Sequence, residues 1–296
     1  MIKYAWRSTL SDQESAQLDN LLGRAAAYDA EPEYSTIDFA DVARSMSTRD
    51  PTARHLVIWM LPYATAIGQP DHPESIAGLL RMTFTSASAA EAAVVIDPRL
   101  RSLGIMTALL ESVGLDTAAP EGWLGSGAHS ITAWARGNHP ASGRLSNRFL
   151  IPRTRLVWKL IRGTDYYGTA AAPVLEVIED PALRDLGWAG PWQGGGTPHA
   201  LRESGRIVGV TALDLRPIES IEFGWCATVT HAIAAPTADL SARRRLLEGA
   251  AAAAREAGMS GVIIHVAADD AGLVNACRLT GFQHERTDVR YHLGKD

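Results

Sequence analysis

The chain has 296 residues with 28 basic and 33 acidic side chains, a formal net charge of −5, and two cysteines, Cys226 and Cys277. Its length suits two packed units; its acidic balance, with no block of like charge, excludes the electrostatic footprint of a nucleic-acid binder, and two cysteines so far apart exclude a disulfide framework. No run approaches the roughly 18 apolar residues of a membrane span, and the first residues lack a signal-type apolar core, so the expected setting is cytoplasmic, with neither membrane nor nucleic acid as partner.

Alternating or β-branched runs predict strands at "IKYAW", "HLVIWML", "IAGLLRMTF", "AAVVI", "SITAWA" and "RLVWKLI". Two helices precede the second strand: "SDQESAQLDNLLGRAAAY", opened by a Ser/Asp cap, and "TIDFADVARSM". Another helix begins near Gly104. The grammar stops in "RGTDYYGTAAAP", which places a domain boundary at 163/164, and a second glycine-rich break lies at "GPWQGGGTP".

The second half of the chain repeats the first in shortened form. "RIVGVTALDL", "SIEFGWCATVT" and "SGVIIHVA" predict strands; "LSARRRLLEGAAAAAREAG" and "AGLVNACRLTGF" predict helices. Asn138-His139 precedes Asp269-Asp270 by 131 residues, and Leu150-Ile151 precedes Gly281-Phe282 by the same interval, a domain-sized period. The expected units are residues 1–163 and a shorter 164–296.

The stretch with the clearest chemistry is "VVIDPRLRSLGIMTALL". An apolar strand that stops at Asp97-Pro98 and passes through Gly104 into a helix leaves backbone N–H groups unpaired and pointing one way, a receptacle for phosphate. Arg99 and Arg101 would add charge there, and Gly104 would let the chain approach closely. Ordinary strand-to-helix turns contain the same residue types, so both readings stand at this level.

The six residues Arg101, Ser102, Leu103, Gly104, Ile105 and Met106 resemble the acetyl-CoA loop of the GNAT acyltransferase superfamily, Arg/Gln-x-x-Gly-x-Gly/Ala, with Met106 in place of the small residue. "DDAGLVNACRLTGFQHERTDVRYHL" is similar to the ending of that superfamily, and "ITAWARGNHPASGRLSNRFLIPRTRLVWKL" to its tandem, mycothiol synthase-like branch. The resemblance implies an α/β (α+β) fold of two tandem GNAT-like domains, each a central mixed, mostly antiparallel sheet flanked by helices.

It also implies an activity. The amine of a small-molecule acceptor would attack the thioester of acetyl-CoA or another acyl-CoA directly, with no metal. The strand at residues 91–96 would polarise the carbonyl through the backbone of Val94, Val95 and Ile96, while Glu91 occupies the position of the carboxylate base. Ser146 stands in the slot of the tyrosine that protonates the leaving thiolate, and His139 in that of the family's asparagine, where with Asn138 it would either contact the pantetheine arm or cap the helix. Asn138 is the expected cap of the following helix, with His139 just inside it.

The second half has no glycine from residue 225 to 248, and so no recognisable CoA loop; Cys277 replaces its tyrosine and is expected to be core. Arg243, Arg244 and Arg245 at a helix start form either a solvated face or an anion contact. The mycothiol substrate is therefore not carried over, and the site is expected in the N-terminal half of a monomer or homodimer. The alternatives are a noncatalytic tandem protein that binds CoA or a partner, and acyl transfer from a carrier protein or an aminoacyl-tRNA.

Overall fold

The structure is a computed structural model describing residues 2–60, 75–165, 172–189 and 195–295. The chain divides into two compact units: Met1–Arg155 together with Asp288–Asp296, and Leu156–Thr287. The expected break at 163/164 marks only the end of a strand. Unit membership follows strand pairing, which composition does not report.

In the first unit β1 (Ile2–Arg7), α1 (Asp12–Asp29), α2 (Phe39–Ser47), β2 (Ala53–Met60), β3 (Ser75–Phe84) and β4 (Ala89–Ile96) are followed by α3 (Ile105–Val113), β5 (Ser130–Ala135) and α4 (Pro140–Phe149). The α1 N-terminus is a capping box: Ser11 Oγ accepts from the Glu14 N–H at 3.2 Å and Glu14 Oε2 accepts from the Ser11 N–H at 2.9 Å. Its leucines at 18, 21 and 22 lie on one stripe and pack with Val57, Leu79 and Val95 on one face of the sheet. On the other face Ile105, Leu109 and Leu110 of α3 meet Leu56, Ile58, Leu80 and Ala92.

The second unit contains most of β6 (Arg153–Gly163), then β7 (Glu176–Val177), α5 (Asp180–Arg184), β8 (Thr197–Glu203), β9 (Arg206–Ser220), β10 (Gly224–Ala234), α6 (Ala242–Glu256), β11 (Gly261–Ala267) and α7 (Ala271–Leu279). The chain's last strand, β12 (Gln283–Gly294), begins in this unit and ends in the first. There, residues 289–294 pair antiparallel with β5, from Val289↔Ala135 to Gly294↔Ser130. The first unit's strand order is thus β1-β2-β3-β4-β5-β12, and the second unit's is β6-β11-β10-β9-β8-β7. Each sheet is mixed and mostly antiparallel, with one central parallel pair, β4–β5 and β10–β11.

The duplication is visible in the elements, since α7 begins 131 residues after α4. In the second unit Leu247, Ala250 and Ala254 of α6 pack on Val229, Val262 and Ile264, with Cys277 fully buried among them. Burial pushes the Cys277 thiol up to about 12, which suits core rather than chemistry. The predicted strand "SIEFGWCATVT" is interrupted: residues 221–223 turn, and β10 starts at Gly224. Trp188 packs against the cluster of Ile178, Leu183 and Ala189, whereas Trp192 lies outside the described residues.

One buried histidine should make the first unit acid-sensitive. His55 on β2 is 3% exposed, and its Nε2 lies 3.1 Å from Ser45 Oγ, which itself donates to the Val42 carbonyl at 2.9 Å. Ser45 Oγ therefore receives the Nε2 proton. Burial, aided by nearby Arg81, pushes His55 from 6.5 to about 4. A depressed histidine contributes stability that is whole above pH 6.5 and is lost as pH falls toward 4. Thermal melts across that window should show a falling Tm for the wild type and a shallower fall for His55→Gln; parallel curves would contradict the assignment.

Candidate functional site

The site begins where β4 and β5 part. Their parallel pairing ends at Ala92↔Ala133, but β4 continues to Ile96 against β3 alone, Val94 facing Leu80 and Ile96 facing Gly78. The Asp97 N–H donates to the Ala77 carbonyl at 2.9 Å, so by strand alternation Val95 also addresses β3. Val94 and Ile96 present their N–H and C=O to the open side. The Ile96 carbonyl accepts from Arg101 Nε at 3.1 Å, and the polar backbone of Val94 faces the wedge. Gly78 permits this geometry, because a Cβ there would stand 2.5 Å from Ile96 Cδ1 and 2.8 Å from the Val95 carbonyl oxygen.

The loop after β4 is held by two buried carboxylates. Asp97 accepts from Arg24 at 2.6 Å and from the side chain and N–H of Arg99; burial raises its pKa, but these bonds outweigh burial and leave it lowered. Asp29, the last residue of α1, takes Arg101 in a bidentate pair with both bonds at 2.6 Å, and the Tyr28 ring lies 5.3 Å from the guanidinium. The hydrogen bonds to Asp29 raise the Arg101 pKa further. The charge expected to face a phosphate is thus committed within the fold.

Beyond Arg101 the backbone alternates, with Ser102 at φ 68° and Gly104 at φ 78°, and Leu103 between them exposed. The first α3 bond runs from the Ala108 N–H to the Gly104 carbonyl at 2.8 Å, and no side chain caps the helix. The N–H groups of Ile105, Met106 and Thr107 therefore have no partner among the described residues. Three donors and the positive end of a helix dipole converge there. The Met106 side chain packs against the core beside α3 while its N–H stays available.

These groups line a cavity of about 600 Å³ that also takes in Tyr34, Trp134, His139, Arg144, Ser146 and Tyr291. That volume is within the range of small-ligand and cofactor sites. His139, rather than Asn138, caps α4: its Nδ1 accepts the Ala141 N–H at 3.1 Å, with Pro140 at the first helical position, and Asn138 takes the left-handed conformation at φ 48°. Burial, and then the Arg101 cation, lower the His139 pKa, which keeps the ring neutral with its proton on Nε2. The Tyr34 ring meets it edge-on at 4.5 Å.

The remaining expected residues are placed differently. Ser146 lines the cavity, but its hydroxyl donates to the Ile151 carbonyl at 2.9 Å and so serves the end of α4. Glu91 is exposed on β4, opposite Thr132, and alternates with Val95 onto the α1–α2 face rather than lining the cavity. Among residues to which the sequence assigns no role, Asp29, Tyr34 and Tyr291 line the cavity, as does Arg144, which has no carboxylate partner among the described residues.

In the second unit the corresponding connection contains no glycine turn, and its arginines are paired: Arg243 with Asp270 at 2.7 Å, Arg244 with Glu248 at 2.9 Å, and Arg245 with Glu203 and Asp239. They form a salt-bridged face. Among the described residues no group of three metal-ligating side chains converges, and no helix is long and apolar enough to cross a membrane.

A GCN5-related N-acetyltransferase from Sphaerobacter thermophilus superposes with a TM-score of 0.59 at 14% identity, covering 99% of this chain and 97% of that one. The chain has a GNAT fold. A tandem GNAT protein from the clavulanic acid biosynthesis pathway matches over 100% of both chains at 12% identity and a TM-score of 0.57. A GNAT-family acetyltransferase from Colwellia psychrerythraea matches at 10% identity and a TM-score of 0.55, over 99% of each chain. No protein-family model and no curated protein matches the chain.

The Asp29–Arg101 pair makes a stability prediction for this GNAT-fold unit. Removing one member leaves the other buried and uncompensated, and Asp29 is only 3% exposed at its side chain. Asp29→Ala should cost about 3 kcal/mol in denaturant unfolding, whereas Arg99→Ala, at an exposed arginine, should leave the unfolding midpoint nearly unchanged. Equal losses would contradict the pair's role.

Proposed function

We propose that the protein is an N-acyltransferase that moves an acetyl or other short acyl group from acyl-CoA to the amine of a small molecule, within the first unit. The observation that carries this reading is the joint placement of the uncapped α3 N-terminus and the outward-facing Val94 backbone on one cavity. The structural neighbours, acetyltransferases of GNAT type, agree with it.

In this reading the N–H groups of residues 105–107, approached through the Ser102–Gly104 turn, bind the pyrophosphate, and Arg144 supplies the cation that Arg101 does not. The backbone of Val94 and Ile96 bonds the pantetheine arm, and the Val94 N–H polarises the thioester carbonyl, a fixed dipole aimed where negative charge develops. His139, held neutral, turns an Nε2 proton toward the arm. The acceptor amine enters from the α1–α2 face, where Glu91, one residue before the last β4–β5 bridge, takes its proton through water. Nitrogen attacks the carbonyl carbon, the carbon–sulfur bond breaks, and the electron pair leaves on sulfur.

Calorimetry with acetyl-CoA tests the donor site. The wild type should bind one equivalent, and Gly104→Val, which forces a β-branched residue to φ 78°, should bind at least about tenfold more weakly. Equal affinity in both proteins, or no binding by either, would overturn the reading.

A further inference from the structure

A thiolate leaving the thioester needs a proton, and the residues expected to give it are otherwise engaged. Ser146 spends its proton on the Ile151 carbonyl. Cys277, in the corresponding slot of the second unit, is core. The Tyr291 hydroxyl, by contrast, is buried with no hydrogen-bond partner among the described residues, and it belongs to a residue lining the cavity. Tyr291 is 7% exposed, so its O–H is shielded from solvent that would otherwise satisfy it.

The strand register brings Tyr291 to the cavity. Ala92 of β4, Ala133 of β5 and Tyr291 of β12 lie in one row across three strands. Two strand spacings of about 4.8 Å separate Tyr291 from β4 at the point where β4 and β5 part. The two other side chains of that row are methyl groups, so neither stands between the ring and β4. Tyr291 packs with Ala135, Val289 and Ile151, so it stands on the side of the sheet that carries α4 and the cavity. A hydroxyl buried without a partner costs stability, and such groups persist where a ligand completes them.

We infer that Tyr291, from the last strand of the chain, is a catalytic residue that donates its proton to the departing sulfur. This rests on the acyl-CoA reading above. As the carbon–sulfur bond breaks, the electron pair goes to sulfur and the Tyr291 proton moves with it, giving CoA thiol. The tyrosinate then recovers a proton from solvent, which holds the one released by the acceptor amine, so the exchange balances without a further reactant.

The test uses CoA itself as the probe. A hydroxyl donating to sulfur stabilises bound thiolate, so the ultraviolet thiolate titration of bound CoA should show an ionisation constant about tenfold smaller in Tyr291→Phe than in the wild type. Acetyl-CoA affinity should agree within about threefold, and the ligand-free variant should melt no lower than the wild type, since it loses an unpartnered hydroxyl. Identical titrations with CoA bound to both proteins would overturn the assignment alone. A clearly lower melting temperature for Tyr291→Phe would mean that the hydroxyl is already bonded, and would also overturn it. No CoA binding by the wild type would overturn the acyl-CoA reading and this inference with it.

Discussion

Arg101 joins three parts of the first unit with one side chain. Its two terminal nitrogens hold Asp29 at the end of α1, and its Nε holds the Ile96 carbonyl at the end of β4. Those bonds fix where β4 stops, hold α1 beside the loop, and set the starting point from which Ser102 and Gly104 turn the chain into α3. An arginine is required, because a planar fork can satisfy a carboxylate bidentately while its third nitrogen donates elsewhere. A lysine has no such geometry. The pair also offsets the placement of Asp29, a buried carboxylate at a helix C-terminus, where the dipole disfavours negative charge.

The consequence is a cavity whose free donors are backbone N–H groups rather than a cluster of cations. Asp97 pairs with Arg24 and Arg99 and Asp29 with Arg101, leaving the N–H groups of residues 105–107 and Arg144 without such partners among the described residues. Backbone donors held by an ion-pair frame need no reorganisation when ligand arrives, which is the advantage of preorganised dipoles. Met106 fits this division of labour: the N–H acts while the side chain packs. The second unit shows the contrast, for its connection between β10 and α6 lacks the glycine turn and its helix start is occupied by salt-bridged arginines.

Much of this is readable in the sequence, because it depends on local pattern. Period-2 runs mark strands in both units, though not β7 or β8, the Ser11-Asp12 cap marks α1, and Asp97-Pro98 with Gly104 marks the loop. The parts that are not readable depend on partners far along the chain. Arg101 is separated from Asp29 by 72 residues, and nothing local shows that its charge is already taken. "TDVRYHL" plainly alternates, but its pairing with β5, more than 150 residues earlier in the chain, has no local signal, which hides from a local reading both Tyr291 and the assignment of the last residues to the first unit. His139 displaces Asn138 as the cap because Pro140 starts the helix immediately after it, which places the capping role on the residue before the proline. Ser146 holds the expected slot on α4, but the carbonyl that takes its proton is exposed only once the helix ends at Leu150.

The proposed function rests on Val94 and the first turn of α3 acting as a backbone cradle for acyl-CoA in the first unit. Its most direct measurement is the change in backbone amide resonances as CoA is added to the full-length, isotopically labelled protein. The largest shifts should fall on Val94 and residues 105–107, with the amides of Leu156–Thr287 little changed. Shifts concentrated in that second unit, or none at the α3 N-terminus at saturating CoA, would contradict it.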